Sequence, residues 1–193
     1  MNGVVIATIV LVVLVVAAVA LLLVRRQRTE RLRQRFGPEY DRTVEVSKDQ
    51  SAAEKELRQR EQRREQIQVV PLVPAARERY LETWHRTQAL FVDSPTEATR
   101  QADKLVAEVM RERGYPVEDF EQRAADLSVD YPGLVQDYRA ARAIADRNDR
   151  SEADTEELRQ ALVHYRSLFE ELLEVAEDDK TDDSTGHPVE EAR

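Results

Sequence analysis

The chain has 193 residues, a length for roughly one domain with appendages, and its 38 acidic residues against 29 basic ones leave a net charge of −9. An acidic body repels phosphate backbones, which argues against nucleic acid as a partner. With no cysteine, thiolate zinc sites, iron–sulfur clusters and a cysteine nucleophile are excluded, in keeping with a compartment where disulfides do not persist.

In chain order, Gly3 to Val24 carries no charge, and apart from Gly3 and Thr8 every residue there is Val, Ile, Leu or Ala. As a helix this run reaches roughly 33 Å, enough for a hydrocarbon core of about 30 Å. Residues 1–24 are therefore expected to form a transmembrane anchor. A cleaved secretory signal would need a positive n-region, which Met1-Asn2 does not supply. Six arginines follow, Arg25, Arg26, Arg28, Arg31, Arg33 and Arg35, against Glu30 alone, while the other flank has no basic side chain. That asymmetry places the N-terminus outside and everything after Val24 on the cytoplasmic side of the inner (plasma) membrane. The arginines are then expected to meet anionic lipid head groups, on the order of 1 kcal/mol each.

The helix leaving the span is expected to end at Gly37-Pro38. Gly37 suits the left-handed residue after a helix, Pro38 the first position of the next, and Glu39 and Asp41 its first turn. A phosphate-gripping loop would need more glycines with free N–H groups. An elbow is the expectation, within a segment 25–70 that continues as a polar stalk helix over "SAAEKELRQREQRREQ", Ser51 to Gln66. Glu54–Arg58 and Glu56–Arg60 have the favourable i,i+4 order, and Ala52, Ala53 and Leu57 build no heptads, so a solvated helix is predicted.

Residues 71–176 read as a small bundle of about five helices. Tyr80, Trp84, Thr87 and Phe91 share one helical face. "SPTE" gives the next helix Ser94 as N-cap, Pro95 at its first position and Glu97 at the capping-box position. Ala98, Ala102, Leu105, Val106, Val109 and Met110 form its buried stripe, and Gly114 with Pro116 ends it. A shorter helix is predicted over roughly 117–129. Leu134, Val135, Tyr138, Ala141 and Ile144 line the next. In the last, Asp154 and Glu157 form a cap pair before Leu158, Leu162, Tyr165, Phe169 and Leu172. No segment alternates as a strand does, so the fold class is all-α. Residues 177–193 lack core-forming side chains and read as a disordered acidic tail. Arginine outnumbers lysine 25 to 4, but outside 25–35 the arginines alternate with acids at helical spacing, which fits codon bias in a GC-rich genome better than a phosphate-binding patch.

"LRQRFGPEYDRTV", "RGYPVEDFEQRAADLSVDYP" and "TEELRQALVHYRSLFEELL" together resemble an uncharacterised family of bacterial, often actinobacterial, single-span membrane proteins, over most of residues 32–175. The resemblance implies no activity. Where that family often carries histidine, this chain has Tyr131 and Arg142, which weakens any histidine-based site taken from relatives.

Chemistry finds little support. Glu82 and His85 form one Glu-x-x-His, whereas di-iron bundles need two such motifs with further glutamates. His164 has Ala161 three residues before it, and His187 lies in the tail. No nucleophile elbow, dinucleotide fingerprint or Walker loop occurs. Neither catalytic residues nor a cofactor is assigned. The expected function is a membrane-tethered structural or protein-interaction module, docking a protein partner through Tyr115, Tyr131 or Tyr138 near the proline-bearing loops. The alternative is an enzyme, or a small-ligand or metal binder, with a bundle-interior site around His85 and His164.

Overall fold

A computed structural model describes residues 2–181, with side chains described for Gly3 and for 11–174. The described residues form eight helices and no strand, α1 (Asn2–Phe36), α2 (Pro38–Ser47), α3 (Gln50–Gln66), α4 (Pro74–Asp93), α5 (Pro95–Glu112), α6 (Phe120–Asp130), α7 (Val135–Asp149) and α8 (Thr155–Thr181). They divide into two compact units, Met1–Gln59 and Arg60–Arg193.

In the first unit α1 stops at Gly37, whose backbone (φ 49°, ψ −128°) lies where only glycine is unstrained, and Pro38 opens α2. The Gly37 N–H still reaches the Arg33 carbonyl at 2.8 Å, closing the last turn of α1. α2 doubles back along α1. Arg33 lies 3.8 Å from Asp41, and its guanidinium sits over the Tyr40 ring at 5.2 Å. Lys48, left-handed at φ 56°, ends α2 by donating to Val44 O, and the Asp49 carboxylate accepts the Ser51 N–H at 2.9 Å to start α3. Leu32, Phe36, Tyr40, Thr43, Ala53 and Leu57 are buried. The expected solvated stalk is thus solvated on one side only. A helix can pack through a single i,i+4 pair such as Ala53 and Leu57, a pattern too short to register as a heptad seam. Among the described residues no helix is long and apolar enough to cross a membrane; in α1 the described apolar side chains run without interruption only from Leu11 to Val24.

The second unit is built on apolar stripes. Ala76, Tyr80, Trp84 and Thr87 of α4 are buried, as are Ala98, Ala102, Leu105, Val106, Val109 and Met110 of α5, while Phe91 packs at the core's edge. α8 packs on α5 and α7 through Leu158, Ala161, Tyr165, Phe169 and Leu172, and Trp84 stacks on Phe169 with ring centroids 4.8 Å apart. α8 continues to Thr181, past the expected end at Ala176, and residues 182–193 of the expected tail lie outside the described residues.

The helix ends differ from expectation in two places. The Ser94 side chain makes no capping bond. Its backbone serves both neighbours instead, the N–H closing α4 on Leu90 O and the carbonyl accepting the Ala98 N–H of α5. α6 starts at Phe120 rather than near 117, because the Asp119 carboxylate accepts the Gln122 N–H at 2.8 Å. At α8, Asp154 and Glu157 each accept the other's backbone N–H, at 2.8 and 3.0 Å. Gly114 ends α5 at φ +93°, and a Cβ there would stand 2.4 Å from the Gln68 carbonyl oxygen. The segment leading to α4 is tied at the same place, with the Val70 N–H on Arg113 O at 2.9 Å.

Candidate functional site

The basic end of α1 and the start of α3 enclose an open polar cleft of about 490 Å³, lined by Arg25, Arg28, Thr29, Asp49, Gln50, Ser51, Glu54 and Arg58. The doubling back of α2 produces it, since the α2–α3 turn returns Asp49, Gln50 and Ser51 to the level of Arg25 and Arg28. Glu54 is its hub. One carboxylate oxygen accepts from Thr29 Oγ1 at 2.8 Å, Gln50 Nε2 at 2.9 Å and Tyr40 Oη at 3.1 Å, and the other lies 3.8 Å from Arg58. Burial alone would raise the Glu54 pKa, but the three hydrogen bonds and the Arg58 charge outweigh it and hold the carboxylate below its ordinary range. Burial and the bond to Glu54 push the Tyr40 phenol up, so both groups keep one protonation state at neutral pH.

The six arginines of the belt are not equivalent. Arg33 is engaged by Asp41 and Tyr40, and Arg35 is engaged as well. Arg26 and Arg31 are exposed and away from the cleft. Arg25 and Arg28 line it, and among the described residues neither makes an ion pair.

The three tyrosines proposed for docking are interior. Tyr115, Tyr131 and Tyr138 are 3%, 9% and 0% exposed. Tyr115 donates to Asp130 at 2.5 Å, and Asp130 also binds Arg64 of α3. Tyr131 accepts from the buried Arg113, whose guanidinium also donates to Leu172 O, both at 3.0 Å. Tyr138 packs 4.9 Å from the Phe120 ring and edge-on to Tyr165, and burial drives its phenol pKa well up. These rings fill the core while two of the three hydroxyls find internal partners, the ordinary use of a tyrosine beside a loop.

The histidines do not converge. His85 is exposed on α4, and the neighbouring Glu82 pairs with Arg86 instead. His164 Nδ1 lies 3.1 Å from Asp137 across α7 and α8. Among the described residues no group of three or more His, Asp or Glu side chains is placed to hold a metal. A second cleft, of about 610 Å³, lies between α4 and α5, where Tyr80 and Arg79 both donate to Glu112, at 2.6 and 2.9 Å. Sequence reasoning missed the Glu54 hub, since no local signal links Thr29 to a carboxylate 25 positions away. Only the Glu54–Arg58 spacing pointed there.

Comparison of the chain with protein-family profiles, with curated proteins and with solved structures finds no match.

Proposed function

We propose that the chain is a single-span membrane protein of the bacterial type it resembles, anchored by residues 3–24 with the rest on the cytoplasmic side. Its helical bundle serves as a structural or protein-interaction module rather than an enzyme. The observation that supports this best is the uncharged run Gly3–Val24 followed at once by six arginines, of which Arg25 and Arg28 make no ion pair among the described residues. The burial of Tyr115, Tyr131 and Tyr138 moves partner docking to other surfaces of the bundle. Among the described residues the bundle-interior ligand site has little support, since His85 faces solvent and His164 lies beside Asp137. Topology reporters test the anchor. Fused after Arg193, a reporter active only in the cytoplasm is expected to work and an export-dependent one to fail; the reverse pattern would overturn the orientation. Proximity labelling from the anchored chain tests the module, and labelling indistinguishable from that of an anchor lacking the bundle would refute it.

A further inference from the structure

Resting on the membrane reading, we propose that the cleft between the start of α3 and the first turn of α1 after Val24 binds the phosphodiester of one singly anionic lipid headgroup, gripped by Arg25 and Arg28 with Arg58 behind them.

Depth singles out these residues. At about 1.5 Å per residue, Arg25 to Arg28 lie within about 6 Å of Val24, and the headgroup layer of one leaflet is about 5–7 Å deep. Arg31, Arg33 and Arg35 lie about 10–17 Å beyond Val24, past that layer. Of the arginines at phosphate depth, Arg25 and Arg28 line the cleft, and among the described residues neither guanidinium has an ion-pair partner. A planar guanidinium presents paired donors that match two phosphate oxygens.

The acids in the cleft decide the charge of the ligand. Glu54 already accepts three hydrogen bonds on one oxygen and faces Arg58 with the other, and Asp49 caps α3 through Ser51. The lining thus brings together three arginines and two acidic side chains, of which Glu54 is held as a carboxylate by its hydrogen bonds and Arg58. A single excess positive charge is balanced by a monoanionic phosphodiester, whereas a phosphomonoester would bring a second negative charge against Asp49. The cleft is open, and Arg25 and Arg28 sit at the depth of the lipid phosphates, which favours a lipid over a soluble phosphodiester as the source.

The experiment uses the full chain reconstituted in vesicles of phosphatidylcholine with a minor fraction of spin-labelled phosphatidylglycerol. The parent is expected to immobilise about one labelled lipid per chain beyond the general boundary layer. Arg25→Gln with Arg28→Gln should lower that affinity about tenfold or more. Arg58→Gln, which alters a residue well along α3, should lower it too. Arg26→Gln with Arg31→Gln removes the same charge outside the cleft and should leave it near the parent value. Equal losses in the two double variants, or no loss in Arg58→Gln, would overturn the cleft in favour of a diffuse belt. Displacement of the labelled lipid by equimolar glycerophosphoglycerol would overturn the lipid as its source. A chain that fails to float with the vesicles overturns the membrane reading and this site with it, whereas one that floats without immobilising lipid overturns the site alone.

Discussion

Around Glu54, donors from α1, α2 and α3 meet one carboxylate oxygen, whereas around Trp84 an indole lies flat on Phe169 among apolar side chains. The first unit thus combines a polar knot with a few buried rings, and the second rests on continuous apolar stripes. Burial of an apolar stripe is graded and redundant, so one lost contact is shared among neighbours. A polar hub depends on every partner and on charge, and its loss leaves donors stranded. The two units should therefore fail in different ways.

The largest effect is expected in the stripe-built unit. Trp84→Ala removes the stacked indole and should cost about 3–5 kcal/mol, read as a large drop in melting temperature of the full chain. Trp84→Phe should cost far less, because the indole N–H is buried with no hydrogen-bond partner among the described residues and its loss strands nothing. A Trp84→Ala protein melting within a degree or two of the parent would refute the core described here.

Two glycines give the next contrast. Both have positive φ, which costs a non-glycine residue about 1–3 kcal/mol. At Gly37 an added Cβ meets nothing within 4 Å, whereas at Gly114 it meets the Gln68 carbonyl. Gly114→Ala should therefore exceed Gly37→Ala and speed amide exchange from Gln68 to Val70, while Gly37→Ala disturbs only the α1–α2 turn. Equal costs would mean that the Gln68 approach is relieved without strain.

The hub makes a prediction in pH. The folded pKa of Glu54 is depressed, so its contribution is present above the unfolded value of about 4.3 and is lost as pH falls through the folded value. Glu54→Gln should speed amide exchange in α2 and the start of α3 at pH 7, and the gap between variant and parent should close in acid. A gap unchanged from pH 7 to pH 3 would show that charge does not hold the hub.

The smallest effects compare two caps. Asp154→Ala removes a side-chain bond to the Glu157 N–H and should cost about 0.5–2 kcal/mol. Ser94→Ala should be near neutral, since only its backbone caps. A Ser94→Ala cost as large as that of Asp154→Ala would restore the side-chain cap.

Legibility followed the same division. Tyr80, Trp84, Leu105, Val109, Tyr138, Tyr165 and Phe169 reveal themselves by helical spacing because burial acts on each residue separately. The cap at Ser94 misled because its composition fits while its backbone (φ −146°, ψ 74°) turns the side chain from the N–H it would accept. The three tyrosines misled because nearby prolines mark a loop but not which way a ring turns. The cleft was half legible. The basic belt stands out, but which arginines stay unpaired depends on α2 doubling back to place Asp41 by Arg33 and Ser51 near Arg25.

The enclosed arginines carry a consequence for proteolysis. Trypsin needs an extended stretch of chain on both sides of its target, and a chain with 25 arginines offers it sites almost everywhere. Arg25, Arg26 and Arg28 are exposed, and a cut there severs everything after α1's apolar run. Arg113 is shut in, its guanidinium spent on Tyr131 and Leu172. Cleavage after Arg113 thus requires the bundle to open, and where reclosing outpaces the protease its rate tracks the open population. Early fragments of a timed digest would report on the shaved surface, and the fragment ending at Arg113 would keep time with the unfolding of the domain.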